Sequence, residues 1–530
     1  MASKSKKEKQ NKTKKPSSKK KKSSEKKFTK KESNKQKKET KKKYKINVDR
    51  AIAKVNISEE EGKLFYKLNL PSLGEGTSAL LNKIRDEIIA KGEFRAEELS
   101  NSKEAERIKS RFQERVNQLI DEKVSDISEE TKNTLSGILM QDMLGLGKIE
   151  FLLNDPNLEE IVVLSSKEPV RVYHKKHGWV KTNVIIEKEE EIVNYANIIA
   201  RKSGRQINVL NPLLDAQLIT GDRANAVLTP ISSKGNTITI RKFSRDPLTI
   251  IDLINNKTVN IEIAALLWIA VEYEMNILIS GGTASGKTSF LNACMCFIPP
   301  NQRLISIEDT RELMLPSYLY WCPLVTRSAN PEGKGEVSML DLLVNSLRMR
   351  PDRIVLGEMR RKKEAEVLFE SMHTGHSVYA TVHANTSAET VSRLTNPPLE
   401  VPPNLLSSVH LNVVMFRDRR SGIRRVYQMA EFLAGKTKTN TNILYRWLQQ
   451  KDEIIKHNES MSFMEELSRH TAMSQEEIEK SINEKKRILK WMIKNKLRDL
   501  QEVGDVMDLY YTNKEKLDKI IKEKDLKKIR

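Results

Sequence analysis

Met275-Asn276-Ile277-Leu278-Ile279-Ser280-Gly281-Gly282-Thr283-Ala284-Ser285-Gly286-Lys287-Thr288-Ser289-Phe290 is the stretch on which the fold turns. The apolar run Met275 to Ser280 predicts a buried parallel strand, and Ser289 onward predicts a helix. Between them, Gly281 to Thr288 fit G-x-x-x-x-G-K-[ST], the pattern of a phosphate-binding loop. Glycines let such a loop wrap closely around a phosphate. The backbone N–H groups of Gly281, Gly282, Thr283, Ala284, Ser285, Gly286, Lys287, Thr288 and Ser289 would then converge on the anion at a helix N-terminus. Lys287 would add a point charge at the β- and γ-phosphates, and the Thr288 hydroxyl would face Mg²⁺. A chance glycine-rich turn would need neither the strand before it nor the helix after it.

Two further strands downstream end in carboxylates. Leu304-Ile305-Ser306-Ile307 runs into Glu308-Asp309, and Arg353-Ile354-Val355-Leu356 runs into Gly357-Glu358. In an α/β sheet, ligand groups gather at the carboxyl ends of strands. Glu308 and Asp309 would therefore lie near the γ-phosphate and its metal; a surface acidic turn is the alternative. Glu358 could orient or deprotonate an attacking water. The aspartate that normally precedes such a glutamate is absent, its place taken by Gly357. Mg²⁺ would then rest mainly on Thr288 and the phosphate oxygens, with Glu308 assisting through water. Three histidines, His373, His376 and His383, flank a strand at Ser377 to Val382. Their spacing matches no usual zinc pattern. A neutral His383 at the strand end is suited to sensing a phosphate.

The order of these motifs resembles the type II/IV secretion ATPase superfamily. Its members power type IV pilus assembly, type II secretion, conjugation and the archaeal flagellum. The resemblance covers roughly residues 140–435, including Leu152 to Ile161, Pro212 to Arg223 and Thr239 to Phe243. The Gly357-Glu358 departure is normal in that superfamily. Ile298-Pro299-Pro300, Leu324-Val325-Thr326-Arg327 and Arg393 to Pro398 are similar to its archaeal branch. The resemblance implies a RecA-like P-loop core preceded by a smaller, PAS-like α/β domain. It also implies ATP bound between the two and a homohexameric ring acting on a polytopic membrane platform protein. By the same resemblance, Arg223 and Arg241 would reach the phosphates when the cleft closes.

The 530-residue chain has room for several domains. Residues 1–45 carry 22 Lys against 4 Glu, a net +18 of the chain's total +22. The body is thus nearly neutral, which counts against a nucleic-acid translocase. So lysine-rich and apolar-poor a segment is expected to be disordered; its charge would suit an anionic membrane surface or nucleic acid at low salt, and a solvated solubility tail with no defined partner is the alternative. The expected organisation is a basic tail over 1–46, a mostly helical region over 47–143 that opens with short strands between Tyr44 and Leu70, and an α/β domain over 144–243. A linker over 244–248, an ATPase core over 249–435 and a helical C-terminal region over 436–530 complete it. Three cysteines fit a reducing cytosol. The longest apolar run, Ile263 to Val271, is too short to span a bilayer. A cytoplasmic protein, peripheral at the membrane, is expected. A pilus or secretion motor, a flagellar motor, a nucleic-acid translocase and a non-hydrolysing scaffold are the competing readings. Intact Lys287, Thr288 and Glu358 argue against the last.

Overall fold

The computed structural model describes residues 42–523 apart from 61, 72, 92–101, 125, 126, 219, 244, 245, 331 and 434–438. Most of the basic tail therefore lies outside the described residues. The described chain builds two nine-stranded sheets, one on each side of residues 244–248.

The first sheet contains β1 (Lys42–Val48), β2 (Ala51–Glu60), β3 (Lys63–Asn69), β4 (Leu158–Val163), β5 (Arg171–His174), β6 (Gly178–Thr182), β7 (Leu213–Gln217), β8 (Arg223–Val227) and β9 (Thr237–Arg241). Their order is β1-β2-β3-β6-β5-β4-β9-β8-β7. All neighbours are antiparallel except β3 and β6, which run parallel. Inward residues alternate along the strands, as in β2, where Ala51, Ala53, Val55 and Ile57 are buried. This period-two pattern buries one face and leaves the other polar.

Four helices follow the first three strands: α1 (Glu75–Lys91), α2 (Ser102–Lys123), α3 (Glu129–Leu144) and α4 (Lys148–Leu153). The expected strands and helices of this region are thus present, with two corrections. Strand β1 begins at Lys42, inside the stretch assigned to the tail: Ile46 and Val48 are buried, and the Tyr44 hydroxyl donates to Asp155 at 2.6 Å. The boundary at 143/144 also crosses a single sheet, because β1–β3 extend the sheet of β4–β9. The helix α5 (Glu189–Lys202) covers this sheet through Ile192, Ala196 and Ile199.

The second half begins with α6 (Ile250–Asn255) and α7 (Ile261–Glu272). Residues Ile263 to Val271 of α7 are all buried, so this helix is apolar on every side and lies within the core. The second sheet holds β10 (Ile277–Gly281), β11 (Arg303–Glu308), β12 (Tyr320–Val325), β13 (Arg353–Leu356), β14 (Ser377–Val382), β15 (Leu411–Arg417), β16 (Arg424–Leu433), β17 (Asn440–Leu448) and β18 (Glu453–Lys456). Its order is β12-β11-β13-β14-β10-β15-β16-β17-β18. The first six strands are parallel, and all but the edge strand β12 are largely buried. Crossover helices include α8 (Lys287–Met295), α9 (Met339–Ser346), α10 (Lys362–His373) and α11 (Ser387–Thr395). Parallel strands joined by crossover helices form the RecA-like core that the resemblance implies.

The segment 436–530, expected to be helical, instead includes, before its helices, the strands β17 and β18. They continue the sheet antiparallel from β16. The helices α12 (Phe463–Thr471), α13 (Gln475–Lys494), α14 (Leu500–Thr512) and α15 (Lys514–Glu523) then pack back onto the core. Leu489, Met492, Val506 and Met507 share one apolar cluster with Trp268 of α7. The C-terminal region is therefore fused to the ATPase core rather than appended to it. No helix among the described residues is long and apolar enough to cross a membrane.

Candidate nucleotide site

Strands β10, β11, β13 and β14 are adjacent and parallel, so their carboxyl ends share one edge. That edge brings together the loop after β10, Glu308 at the end of β11, Glu358 beyond β13 and His383 just past β14. His376 sits at the opposite end of β14, where its Nδ1 lies 3.3 Å from the Ser371 carbonyl. His373 ends α10 and is exposed. Of the three histidines, only His383 belongs to the site.

The loop is shaped by its glycines at two points. Gly286 caps α8 with φ 95°, a left-handed conformation that suits glycine. A Cβ at Gly281 would sit 2.5 Å from Ser285 Oγ and 2.6 Å from the Met415 carbonyl. The Ser285 hydroxyl is buried without a hydrogen-bond partner. Thr283, Ala284 and Ser289 are exposed, Gly282 and Thr288 half-buried. The loop therefore presents a tight backbone cradle at the N-terminus of a nine-residue helix.

Lys287 is 8% exposed and turns back over this cradle. Its ammonium donates to the carbonyls of Gly281 at 2.9 Å and Gly282 at 3.2 Å, and lies 3.3 Å from His383 Nδ1. Burial lowers its affinity for the proton, opposed by the charges of Glu358 and Glu312. A lysine donates only, so Nδ1 of His383 accepts and Nε2 carries the hydrogen. Nε2 lies 2.9 Å from Glu358 Oε1. Burial, and next the Lys287 charge, hold His383 below the ordinary imidazole pKa. His383 thus lies between Lys287 and Glu358, within reach of both, in surroundings that favour the neutral imidazole.

The second oxygen of Glu358 accepts from Arg360 Nη2 at 2.5 Å, and Arg360 Nη1 reaches Asp309 Oδ2. Glu308 is 2% exposed. Its Oε1 accepts from the backbone N–H of Glu312 at 2.9 Å and Leu313 at 3.1 Å, while Oε2 is buried without a partner. Burial raises its pKa to about 7, outweighing those two backbone bonds. Glu308 thus fastens the acidic loop 309–313 and retains one free oxygen. Among the described residues, no group of three or more His, Cys, Asp or Glu could hold a metal ion.

Arg223 and Arg241 lie on β8 and β9, on the polar face of the first sheet. The Arg223 guanidinium makes a two-pronged pair with Asp215, Nε to Oδ1 at 3.0 Å and Nη2 to Oδ2 at 2.6 Å. That pairing raises its pKa, with Asp309 and Glu312 adding to the effect. Arg241 Nη2 lies 3.5 Å from Glu312 Oε1, on the facing sheet's edge. Arg241 thus meets the acidic loop directly, and the charges of Asp309 and Glu312 are felt at Arg223 as well.

Three groups escaped the reading of the sequence. Arg360 sits in Arg360-Arg361-Lys362-Lys363, which has the look of a solvated basic run. Arg424 opens β16 and places Nε 3.3 Å from the Ala284 carbonyl, against the outer wall of the loop. Arg417, its register partner on β15, donates from Nη2 to the Tyr173 hydroxyl of β5 at 2.9 Å. Only the G-x-R-R spacing at Gly422 to Arg425, just past a turn, could have singled out Arg424 beforehand.

A family model described as type II/IV secretion system protein matches residues 217–498. An uncharacterized protein of Methanocaldococcus jannaschii is 36% identical over 393 residues, covering 72% of this chain and 70% of its own. The type IV secretion system protein VirB11 of Bartonella henselae is 31% identical over 287 residues, covering 47% of this chain and 79% of its own. Among solved structures, the VirB11 ATPase of the Brucella suis type IV secretion system aligns at 26% identity and TM-score 0.28. That alignment covers 53% of this chain and 92% of its own. The loop, the strand-end carboxylates and the matched span agree: the chain belongs to the type II/IV secretion system protein family and carries its ATPase domain.

Proposed function

We propose that the protein hydrolyses ATP with Mg²⁺ and works as a ring of six copies at the cytoplasmic face of a membrane. Opening and closing of the cleft between its two sheets would drive a polytopic membrane platform. That platform would assemble a type IV pilus-like filament or secrete through one; rotation of an archaeal flagellum is the alternative output of the same motor. The Lys287–His383–Glu358 bridge carries the reading. It joins the loop that would cradle the phosphates to Glu358, the carboxylate that would act on water.

The roles divide among the residues already described. The Gly281 to Ser289 backbone would bind the phosphates, with Lys287 turning from the loop carbonyls onto the β/γ oxygens. Glu358 would orient the water and take up its proton. His383, neutral and pinned at both nitrogens, would report whether Lys287 has moved. Arg223 and Arg241 would meet the γ-phosphate from the opposite wall, where charge stabilisation counts most. The Thr288 hydroxyl and the unpartnered Glu308 Oε2 suit Mg²⁺, a hard cation that takes oxygen ligands. When bound, that ion would neutralise phosphate charge.

The direct test is steady-state phosphate release by the full-length protein. Glu358→Gln should keep nucleotide binding and lose turnover by orders of magnitude. Lys287→Ala should weaken both. Turnover in Glu358→Gln equal to that of the unmodified chain would remove the assignment. Mass measurement in the presence of nucleotide tests the ring, and co-purification of a polytopic membrane protein tests the output.

A further inference from the structure

Glu358 lies beyond the last residue of β13, after Gly357, so the strand does not dictate where its side chain points. Its backbone is held on both sides. Gly357 N donates to the Ile307 carbonyl at 2.8 Å, Thr381 Oγ1 to the Gly357 carbonyl at 2.6 Å, and Met359 N to the Thr381 carbonyl at 3.0 Å. The carboxylate itself still has several rotatable bonds, which cost entropy to order. His383 takes one oxygen. The other is held by Arg360, whose second terminal nitrogen is held by Asp309. Asp309 follows β11, the sheet neighbour of β13. Arg360 is itself anchored through its backbone, since its N–H and that of Arg361 both donate to the buried Glu364 carboxylate at 3.1 and 3.0 Å.

We propose that Arg360, oriented by Asp309, is a positioning residue that holds Glu358 at the angle needed for water activation. This rests on the reading of Glu358 given above. Among the described residues, Arg360 makes no hydrogen bond or ion pair with the loop or with Lys287; its polar partners are Glu358, Asp309 and Glu364. The pair should therefore govern turnover rather than nucleotide affinity. A guanidinium suits the task because its planar fork can bind two carboxylates at once. A lysine ammonium is a point charge and cannot hold the same two orientations. An ordinary exposed ion pair would contribute little to stability and nothing to rate. The difference here is geometric: the bridge ties two adjacent strand ends to one side chain at the site.

The test compares Arg360→Gln, Arg360→Lys, Asp309→Asn and the Arg360→Gln/Asp309→Asn double variant with the unmodified full-length chain. Each is measured for kcat and KM with ATP, and for the Kd of a non-hydrolysable ATP analogue. Arg360→Gln and Asp309→Asn should each lower kcat about 10- to 100-fold while the analogue Kd stays within about threefold. Arg360→Lys should recover only part of the loss. The double variant should be no worse than Arg360→Gln alone, because both remove one bridge. A kcat within about twofold of the unmodified value in Arg360→Gln would overturn the proposal, as would multiplicative losses in the double variant. So would an analogue Kd that rises in step with the loss of kcat, since Arg360 would then be a nucleotide contact. Activity that survives Glu358→Gln would instead sink the underlying reading, so the two failures are distinguishable.

Discussion

Arg223 and Arg241 are direct register partners across β8 and β9, two like charges side by side. Such a pair is unfavourable unless anions meet it. Here Asp215 meets one arginine and Glu312, from the facing half of the molecule, approaches the other. If phosphate takes over these arginines on closure, Arg223→Ala or Arg241→Ala should slow hydrolysis at least tenfold. Melting temperature should hold or rise slightly, because repulsion is relieved. A nucleotide-bound, closed structure with both guanidinium groups far from the phosphates would contradict this.

Glu308 gives a pH signature. Its folded pKa, about 7, lies above the ordinary value of 4.5. The native chain therefore holds more protons at this site than the unfolded chain between those two values. Stability should fall as pH rises through that window, with the full penalty present above about pH 7. Glu308→Gln keeps an oxygen for the Glu312 and Leu313 N–H groups and removes the charge. Nucleotide-free Glu308→Gln should gain up to about 3 kcal/mol at pH 8 and almost nothing at pH 4.5. Denaturation at both pH values measures the difference; equal or lower stability at pH 8 would refute the burial argument.

Glu431 is fully buried on β16, and its oxygens accept from Asn442 Nδ2 and from the backbone N–H of Met461, Ser462 and Phe463. One carboxylate therefore ties the sheet to the start of α12. Those backbone bonds and Asn442 hold its pKa below the usual carboxylate value despite the burial that opposes them. Glu431→Ala leaves several buried donors unpaired and should cost about 3 kcal/mol. Limited proteolysis should then cut near residue 460 much faster than in the unmodified chain. Unchanged cleavage would show that the C-terminal helices are held without it.

The catalytic core was legible because parallel α/β motifs are local: strand, loop and helix follow one another within a few dozen residues. Glu308, Glu358 and His383 could be placed from strand ends alone. What escaped depended on distant pairing. Asn440–Leu448 buries only Asn442, Leu444 and Trp447 beside a charged C-terminal run, and its partner β16 supplies the other half of the signal. In Lys42–Val48 the exposed Lys43 and Lys45 alternate with inward residues, so composition merged the strand with the basic segment before it. Arg360 became visible only once the ends of β11 and β13 were side by side.

The lysine-rich segment invites a direct measurement. If residues 1–41 act through charge at an anionic membrane, deleting them should reduce binding to liposomes containing anionic lipid. The reduction should shrink as salt rises, since the screening length is about 8 Å at physiological ionic strength. ATP turnover in solution should barely change. Equal liposome binding with and without the segment would leave it a solubility device.

Strand β1, where that segment joins the fold, stands at one rim of the first sheet, while β8 and β9 stand near the other. Seven strand spacings separate β1 from β8, roughly 33 Å at the usual inter-strand distance. An N-terminal segment held at a lipid surface would thus leave the arginine-bearing rim unobstructed. The sheet would act as a spacer plate, mooring the protein at one margin while the other swings over the phosphates.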